Sequence, residues 1–352
     1  MTRLLLFVTD LKPGGTPTVV KELATRLPTD DLHVEVACLG GMDAVATELV
    51  DAGVDVTAFD VGVLGLPHAV ARLGRLVDEH EIDVVLSLLV HANTVAAIAS
   101  RGRPGVRWWQ SIQTTQPRPR WHWPVQRWAA KHATGVIVPS PSVADVARSR
   151  AGVAADRVHV IPNGVDEATV VDQPKPARDA GSPLCVVFFG RFDPVKRVPM
   201  LIDAVRQVEN VTLDVFGDGP ERSRIEQAAS GSNRVHIHGW ADKDVALADA
   251  DVLVLPSEAE GFGLVLIEAM AAGVPVIGAD APGIRDVIRH DDTGLLFDLA
   301  GARRPTLTET LSQARDEAAL LHRLSDQALR WVRTERLWTS VIERYRMRLV
   351  NQ

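Results

Sequence analysis

Apolar positions along the 352-residue chain fall in short continuous runs, separated by stretches with helical spacing. Runs at 4–9, 34–39, 54–59, 84–89, 106–112, 135–138 and 158–161 have strand length, and helix-like stretches such as 17–27, 67–80 and 141–150 separate most of them. Within 17–27, Val19, Val20, Leu23, Ala24 and Leu27 share one face, with Thr16 expected as the N-cap and Pro17 at the first helical position. Continuous apolar strands between amphipathic helices predict a parallel sheet covered on both faces.

The pattern breaks at Pro162-Asn163-Gly164 and then restarts, with strands expected at 184–189, 211–216, 234–238, 251–255, 274–277 and 294–297. A helix is expected over 263–272 and helical chain from 306 onward. Two similar α/β halves predict two Rossmann-like domains facing across a cleft: a first domain over 1–170, a Pro-rich polar linker over 171–183 and a second domain over 184–335. The last segment, 336–352, is expected as a helix packing back on the first domain. Ligands of such sheets bind beyond the carboxyl ends of strands, so the chemistry is sought there.

Composition narrows the partners. A hydrophobic content of 46% and a charged content of 24% suit a globular chain, and a net charge of −7 argues against nucleic acid. Cys38 and Cys185 sit in apolar runs, which suggests a reducing compartment. The run at 4–8 lacks the pattern of a secretory leader, and no run reaches the ~18 apolar residues of a spanning helix. A cytoplasmic location follows as the expectation, with the inner face of the cell membrane as an accessible surface. Asp249-Ala250-Asp251 reads as a helix end and strand start, so no metal site is expected.

The strand ends of the second half carry the strongest signals. Gly190, Arg191 and Lys196 follow the run 184–189; a bidentate guanidinium and a compact ammonium suit a diphosphate. After 251–255 comes Glu260-Gly261-Phe262-Gly263-Leu264, then Glu268 inside the expected helix. Free N–H groups at that helix start face an anion, and two carboxylates bracket a ligand by accepting from its hydroxyls. Gly283 is expected to open a further helix with Ile284, Val287 and Ile288 inward.

These pieces, with Val160-Ile161-Pro162-Asn163-Gly164-Val165-Asp166, resemble the retaining glycosyltransferases of the GT-B fold, family 4 (glycosyl transferases group 1), over nearly the whole chain. The resemblance implies that Arg191 and Lys196 bind the diphosphate of a nucleotide-sugar donor, that Glu260 contacts sugar hydroxyls, and that Glu268 holds the ribose. It also implies that the amides of Gly261, Phe262, Gly263 and Leu264 complete the phosphate site. The second domain would then bind the donor and the first the acceptor. The family often has glycine after the lysine; here Arg197 stands there, either as a third cation or pointing outward.

In the first half, Gly14 and Gly15 follow the first run, and the resemblance makes them a donor-facing glycine loop. His91, in His91-Ala92-Asn93 after the run 84–89, matches a histidine that serves the sugar or acceptor in related transferases. The span 84–144 holds no Asp or Glu, but Arg101, Arg103, Arg107, Arg118, Arg120, Arg127 and Lys131, with Trp108, Trp109, Trp121, Trp123 and Trp128. Trp108 and Trp109 are expected in the core. Trp121, Trp123 and Trp128 are expected to form an exposed patch, which suits either an acceptor groove or peripheral membrane contact through 101–131.

The expected activity is metal-independent, retaining transfer of a hexose or N-acetylhexosamine from a nucleotide-diphosphate sugar to a hydroxyl on a sugar, lipid-linked or small-molecule acceptor. The donor is a co-substrate, and no resident cofactor is expected. The resemblance favours UDP through the His-Ala-Asn pattern. A nucleotide-sugar epimerase and a non-catalytic nucleotide-sugar-binding protein of the same fold remain open.

Overall fold

The computed structural model describes residues 1–61, 65–116, 119–179 and 181–350. They form two compact units: Met1–Asn163 with the C-terminal segment from Trp338, and Gly164–Leu337.

Unit 1 is a seven-stranded sheet of β1 (Thr2–Val8), β2 (Leu32–Cys38), β3 (Val56–Ala58), β4 (Val84–Leu88), β5 (Arg107–Ser111), β6 (Gly135–Val138) and β7 (Val158–Val160). Its order is β3-β2-β1-β4-β5-β6-β7 and every pairing is parallel. Leu4 to Val8 and Val84 to Leu88 are buried throughout, as strands covered on both faces must be. The helices are α1 (Gly15–Arg26), α2 (Ala44–Asp51), α3 (Leu66–Glu79), α4 (Val90–Ala99), α5 (His122–Ala130) and α6 (Pro141–Ser149). The helix α6 starts by a local rule: the Ser140 hydroxyl accepts from Val143 N and Pro141 fills the first turn. By contrast, α1 begins earlier than expected. Gly14, not Thr16, is the N-cap, and Pro17 is buried inside the first turn.

Unit 2 repeats the plan with β8 (Leu184–Phe189), β9 (Val211–Phe216), β10 (Val235–Ile237), β11 (Val252–Leu255), β12 (Val276–Ala279) and β13 (Leu295–Phe297), in the order β10-β9-β8-β11-β12-β13. Its helices are α7 (Val198–Gln207), α8 (Arg222–Ala229), α9 (Lys243–Ala248), α10 (Leu264–Ala271), α11 (Leu307–Asp316) and α12 (Ala318–Glu335). The last helix, α13 (Trp338–Leu349), belongs to unit 1, where it contacts α1. In both sheets the order reverses beside the first strand, between β1 and β4 and between β8 and β11.

Two expectations about connections change. The start of the expected linker is tied down: Val171 N donates to Ala271 O (3.0 Å) and Lys175 N to Gly273 O (3.2 Å). The Lys175 ammonium binds the carbonyls of Ala248 and Ala250 at the end of α9, where the helix dipole favours a cation. The boundary between units therefore lies at Asn163/Gly164, before the Pro-rich segment. Residues 282–287 form turns instead of a helix, although Ile284, Val287 and Ile288 are buried as expected. The positive φ of Gly283 (84°) takes the chain out of helical geometry there.

Among the described residues, no helix is long and apolar enough to cross a membrane.

Candidate functional site

The strand-order reversal of unit 2 places the loops after β8 and β11 side by side, since Val186 pairs with Val252 and Val187 with Leu253. Backbone bonds knit these loops together: Glu258 N donates to Val195 O (2.9 Å), and Glu260 N to Pro282 O of the loop after β12 (2.9 Å). The loops after β8, β9 and β10 are joined likewise, through Gly190 N to Phe216 O (3.0 Å) and Gly217 N to Gly239 O (3.1 Å).

On this frame Lys196 Nζ lies 2.5 Å from Glu260 Oε1, with both side chains mostly buried. Residues 64 positions apart thus meet at one point. Arg191 is exposed, and its Nε contacts Asp193 Oδ2 at 3.1 Å. Gly263 is the N-cap of α10 with φ 79°, and Phe262 beside it is buried. A side chain at 263 would be strained by that backbone and would press on Leu266 Cδ1 at 3.1 Å. The helix that follows buries Leu266, Ile267, Ala269 and Met270, so its start is fixed against the core. Leu264 opens its first turn, with the amide free of intrahelical partners by geometry.

Glu268 lies within α10 and pairs with Lys243 at the start of α9. Lys243 was missed in the sequence; it has no motif of its own, and only the packing of α9 near α10 pairs it with Glu268. The Arg197 guanidinium pairs with Glu258. Arg197 adopts φ 53°, the left-handed conformation that glycine fills at no cost.

Close to the same strand ends stand aromatic rings. Trp240, half exposed, packs against Phe189 with centroids 5.8 Å apart, and Phe216 stacks on His238 at 4.4 Å. His238 Nε2 is 2.7 Å from Asp214 Oδ1. Asp251 Oδ2 accepts from Cys185 N (2.7 Å), so this member of the Asp249-Ala250-Asp251 triplet anchors a strand start.

In unit 1 the reversal lies between β1 and β4, and the sequence candidates fall on either side. Gly14 and Gly15 are exposed at the start of α1. His91 is exposed on the first turn of α4, just beyond the carboxyl end of β4, where Leu89 turns with φ 74°. Asn93 is buried in a polar network: it accepts from Ser87 Oγ (2.8 Å) and donates to Gln126 Oε1 (3.0 Å) and Ser111 O (3.0 Å). Trp108 and Trp109 are core residues. Of the expected tryptophan patch only Trp121 is exposed, at 59%. Trp123 packs on the core around β6, and Trp128 is covered by Arg101 (5.4 Å) and His132 (4.9 Å). Arg118 lies outside the described residues.

Residues 183–312 match the family described as Glycosyl transferases group 1, and residues 13–169 match Glycosyltransferase Family 4. The chain belongs to the family 4, group 1 glycosyltransferases. Similar members include the N-acetyl-alpha-D-glucosaminyl L-malate synthase of Bacillus anthracis, 37% identical over 46% of this chain and 41% of the relative. The phosphatidyl-myo-inositol mannosyltransferase of Mycobacterium leprae is 34% identical over 46% of each chain. The chain thus spans less than half the length of these two relatives. HepE of Anabaena, in a structure with UDP and glucose, has a TM-score of 0.86 at 23% identity, covering 100% of both chains. That likeness is one of fold, the GT-B fold of this family.

Proposed function

We propose that this family 4 glycosyltransferase moves a hexose or N-acetylhexosamine from a nucleotide-diphosphate sugar to an acceptor hydroxyl, with unit 2 holding the donor and unit 1 the acceptor. The Lys196–Glu260 pair beside the Gly263-led start of α10 carries this reading. It puts an ammonium, a carboxylate and free helix amides where a diphosphate joined to a sugar needs two kinds of partner. Arg191, whose exposed side chain lies on the same loop, supplies a guanidinium to the diphosphate.

During transfer the bond from the anomeric carbon to the diphosphate oxygen breaks, and negative charge grows on that oxygen. Lys196, Arg191 and the amides of Gly261 to Leu264 stabilise it, which removes the need for a metal. Such preorganised donors are typically worth ~3–4 kcal/mol each. The acceptor oxygen bonds to the anomeric carbon and its proton passes to the leaving diphosphate. Retention of configuration rests on the family resemblance. Glu260 holds sugar hydroxyls, and Glu268, steered by Lys243, holds the ribose. Trp240 offers a π-face to the base, which every nucleobase can use.

UDP is the favoured nucleotide; HepE, of the same fold, has UDP in its structure. The relatives named for L-malate and phosphatidyl-myo-inositol support a polar or lipid-linked acceptor with hydroxyl groups. A thermal-shift screen of nucleotide sugars with chelator present tests the reading. Stabilisation by one donor, lost in Glu268→Ala, is expected. The proposal fails if no nucleotide sugar stabilises the parent protein.

A further inference from the structure

Four rings gather at the carboxyl ends of β8, β9 and β10. Phe189 and Phe216 end neighbouring strands and are register partners. Trp240 packs on the first, and the His238 imidazole lies nearly parallel on the second, with 14° between the planes. His238 and Trp240 flank Gly239, where the backbone is pinned: His238 N donates to Val215 O (2.8 Å), and Gly239 O accepts from Gly217 N (3.1 Å). A Cβ at Gly239 would have no atom within 4 Å beyond its chain neighbours, so the chain between the two rings is uncrowded. The same loop runs on to Lys243, which pairs with Glu268. Along the sheet edge, in the order β11-β8-β9-β10, the sugar, diphosphate, ribose and base of the proposed donor fall in sequence.

The imidazole has a fixed tautomer. His238 Nε2 is 2.7 Å from Asp214 Oδ1. An ionised carboxylate only accepts, so Nε2 carries the hydrogen and the neutral ring keeps its lone pair at Nδ1. Among the described residues Nδ1 has no hydrogen-bond partner, and the side chain is 41% exposed. The stack on Phe216 holds one face of the ring and Asp214 holds one edge, so the lone pair has a set direction. A directed acceptor distinguishes bases of nearly the same shape. Uracil presents an N3–H on its pairing edge, and cytosine presents a bare N3 there. The first donates to Nδ1; the second sets two lone pairs against each other. Stacking on Trp240 does not make that distinction, since every base has a π-face.

We infer that His238 reads the N3–H of uracil through Nδ1 and so selects a uridine nucleotide, with Asp214 as the positioning residue that sets the tautomer. This rests on the donor assignment above and names the residue that chooses the base. The full chain is titrated calorimetrically with UDP, CDP and inorganic pyrophosphate at about pH 8, the upper end of ordinary imidazole titration. UDP should bind at least about tenfold more tightly than CDP. His238→Phe keeps the stack and removes the lone pair, so UDP should weaken about tenfold while CDP and pyrophosphate hardly change. Asp214→Asn lets an amide N–H donate to Nε2, which moves the ring hydrogen to Nδ1; the UDP preference should then vanish or invert, again with pyrophosphate unchanged. The inference is overturned if the parent binds UDP and CDP alike, or if both variants keep the parent's preference, as they would if the Asp214–His238 pair only braced the strand ends. Equal binding of the two nucleotides leaves the donor assignment standing, whereas binding of neither removes both.

Discussion

The Lys196 ammonium lies 2.5 Å from Glu260 Oε1, joining the loop after β8 to the loop after its neighbour β11. The two side chains meet before a donor binds, so each holds the other in position. Lys196→Ala is expected to lower the transfer rate roughly 10²–10³-fold, the cost of losing one preorganised donor. Steady-state kinetics with the nucleotide sugar found by the stability screen would check this. A variant with unchanged kcat/KM would take Lys196 out of the site.

Arg197 offers a contrast. Its left-handed φ costs roughly 1–2 kcal/mol relative to glycine, and its partner Glu258 is only partly buried, so that ion pair returns at most about 1 kcal/mol. Arg197→Gly should therefore leave the thermal midpoint unchanged or raise it, with donor affinity preserved. A marked loss of donor affinity would show that the guanidinium serves the phosphates after all.

Gly283 supports Glu260 from beneath. A Cβ at 283 would sit 2.3 Å from the carbonyl oxygen of Glu260, on a backbone with φ 84°. Gly283→Ala must push the Glu260 loop away. We expect a higher KM for the donor together with a lower melting temperature, both measured on the purified variant. An alanine variant equal to the parent in both would mean the loop yields freely.

Trp240 tests the base contact. Trp240→Ala should weaken UDP binding about tenfold, within the range for one stacked base, yet leave binding of inorganic pyrophosphate unchanged. Calorimetric titration of both ligands distinguishes a base contact from a general disturbance, which would weaken the two alike.

Acid should loosen unit 1. Burial lowers the pKa of His122 and of His159, so the folded chain favours both rings neutral. In the unfolded chain these rings take up protons near the ordinary value of 6.5. Their contribution to stability is complete above that value and declines as pH falls below it toward the depressed folded values. Denaturant unfolding at neutral and mildly acidic pH should show this decline. It should be smaller in His122→Asn, and an equal decline there would assign the effect to other groups.

By itself the amino-acid sequence determined the two α/β halves, because a parallel strand covered on both faces leaves an unbroken apolar run that no surface element can carry. It also marked Lys196, Glu260 and Gly263 as one group, through glycines and charges set just beyond those runs. Other features depended on contacts between residues far apart in the chain. The pairing of Glu268 with Lys243 arises only when α9 is brought to α10. The start of the Pro-rich segment 171–183 looked free because its polar backbone had no local partner; its partners are the ends of α9 and α10. Of three tryptophans with similar neighbours, only Trp121 stays exposed, since Trp123 meets the core around β6 and Trp128 meets Arg101 and His132. Periodicity records how much of a residue is buried along its own helix or strand, whereas tertiary packing decides which distant group covers it.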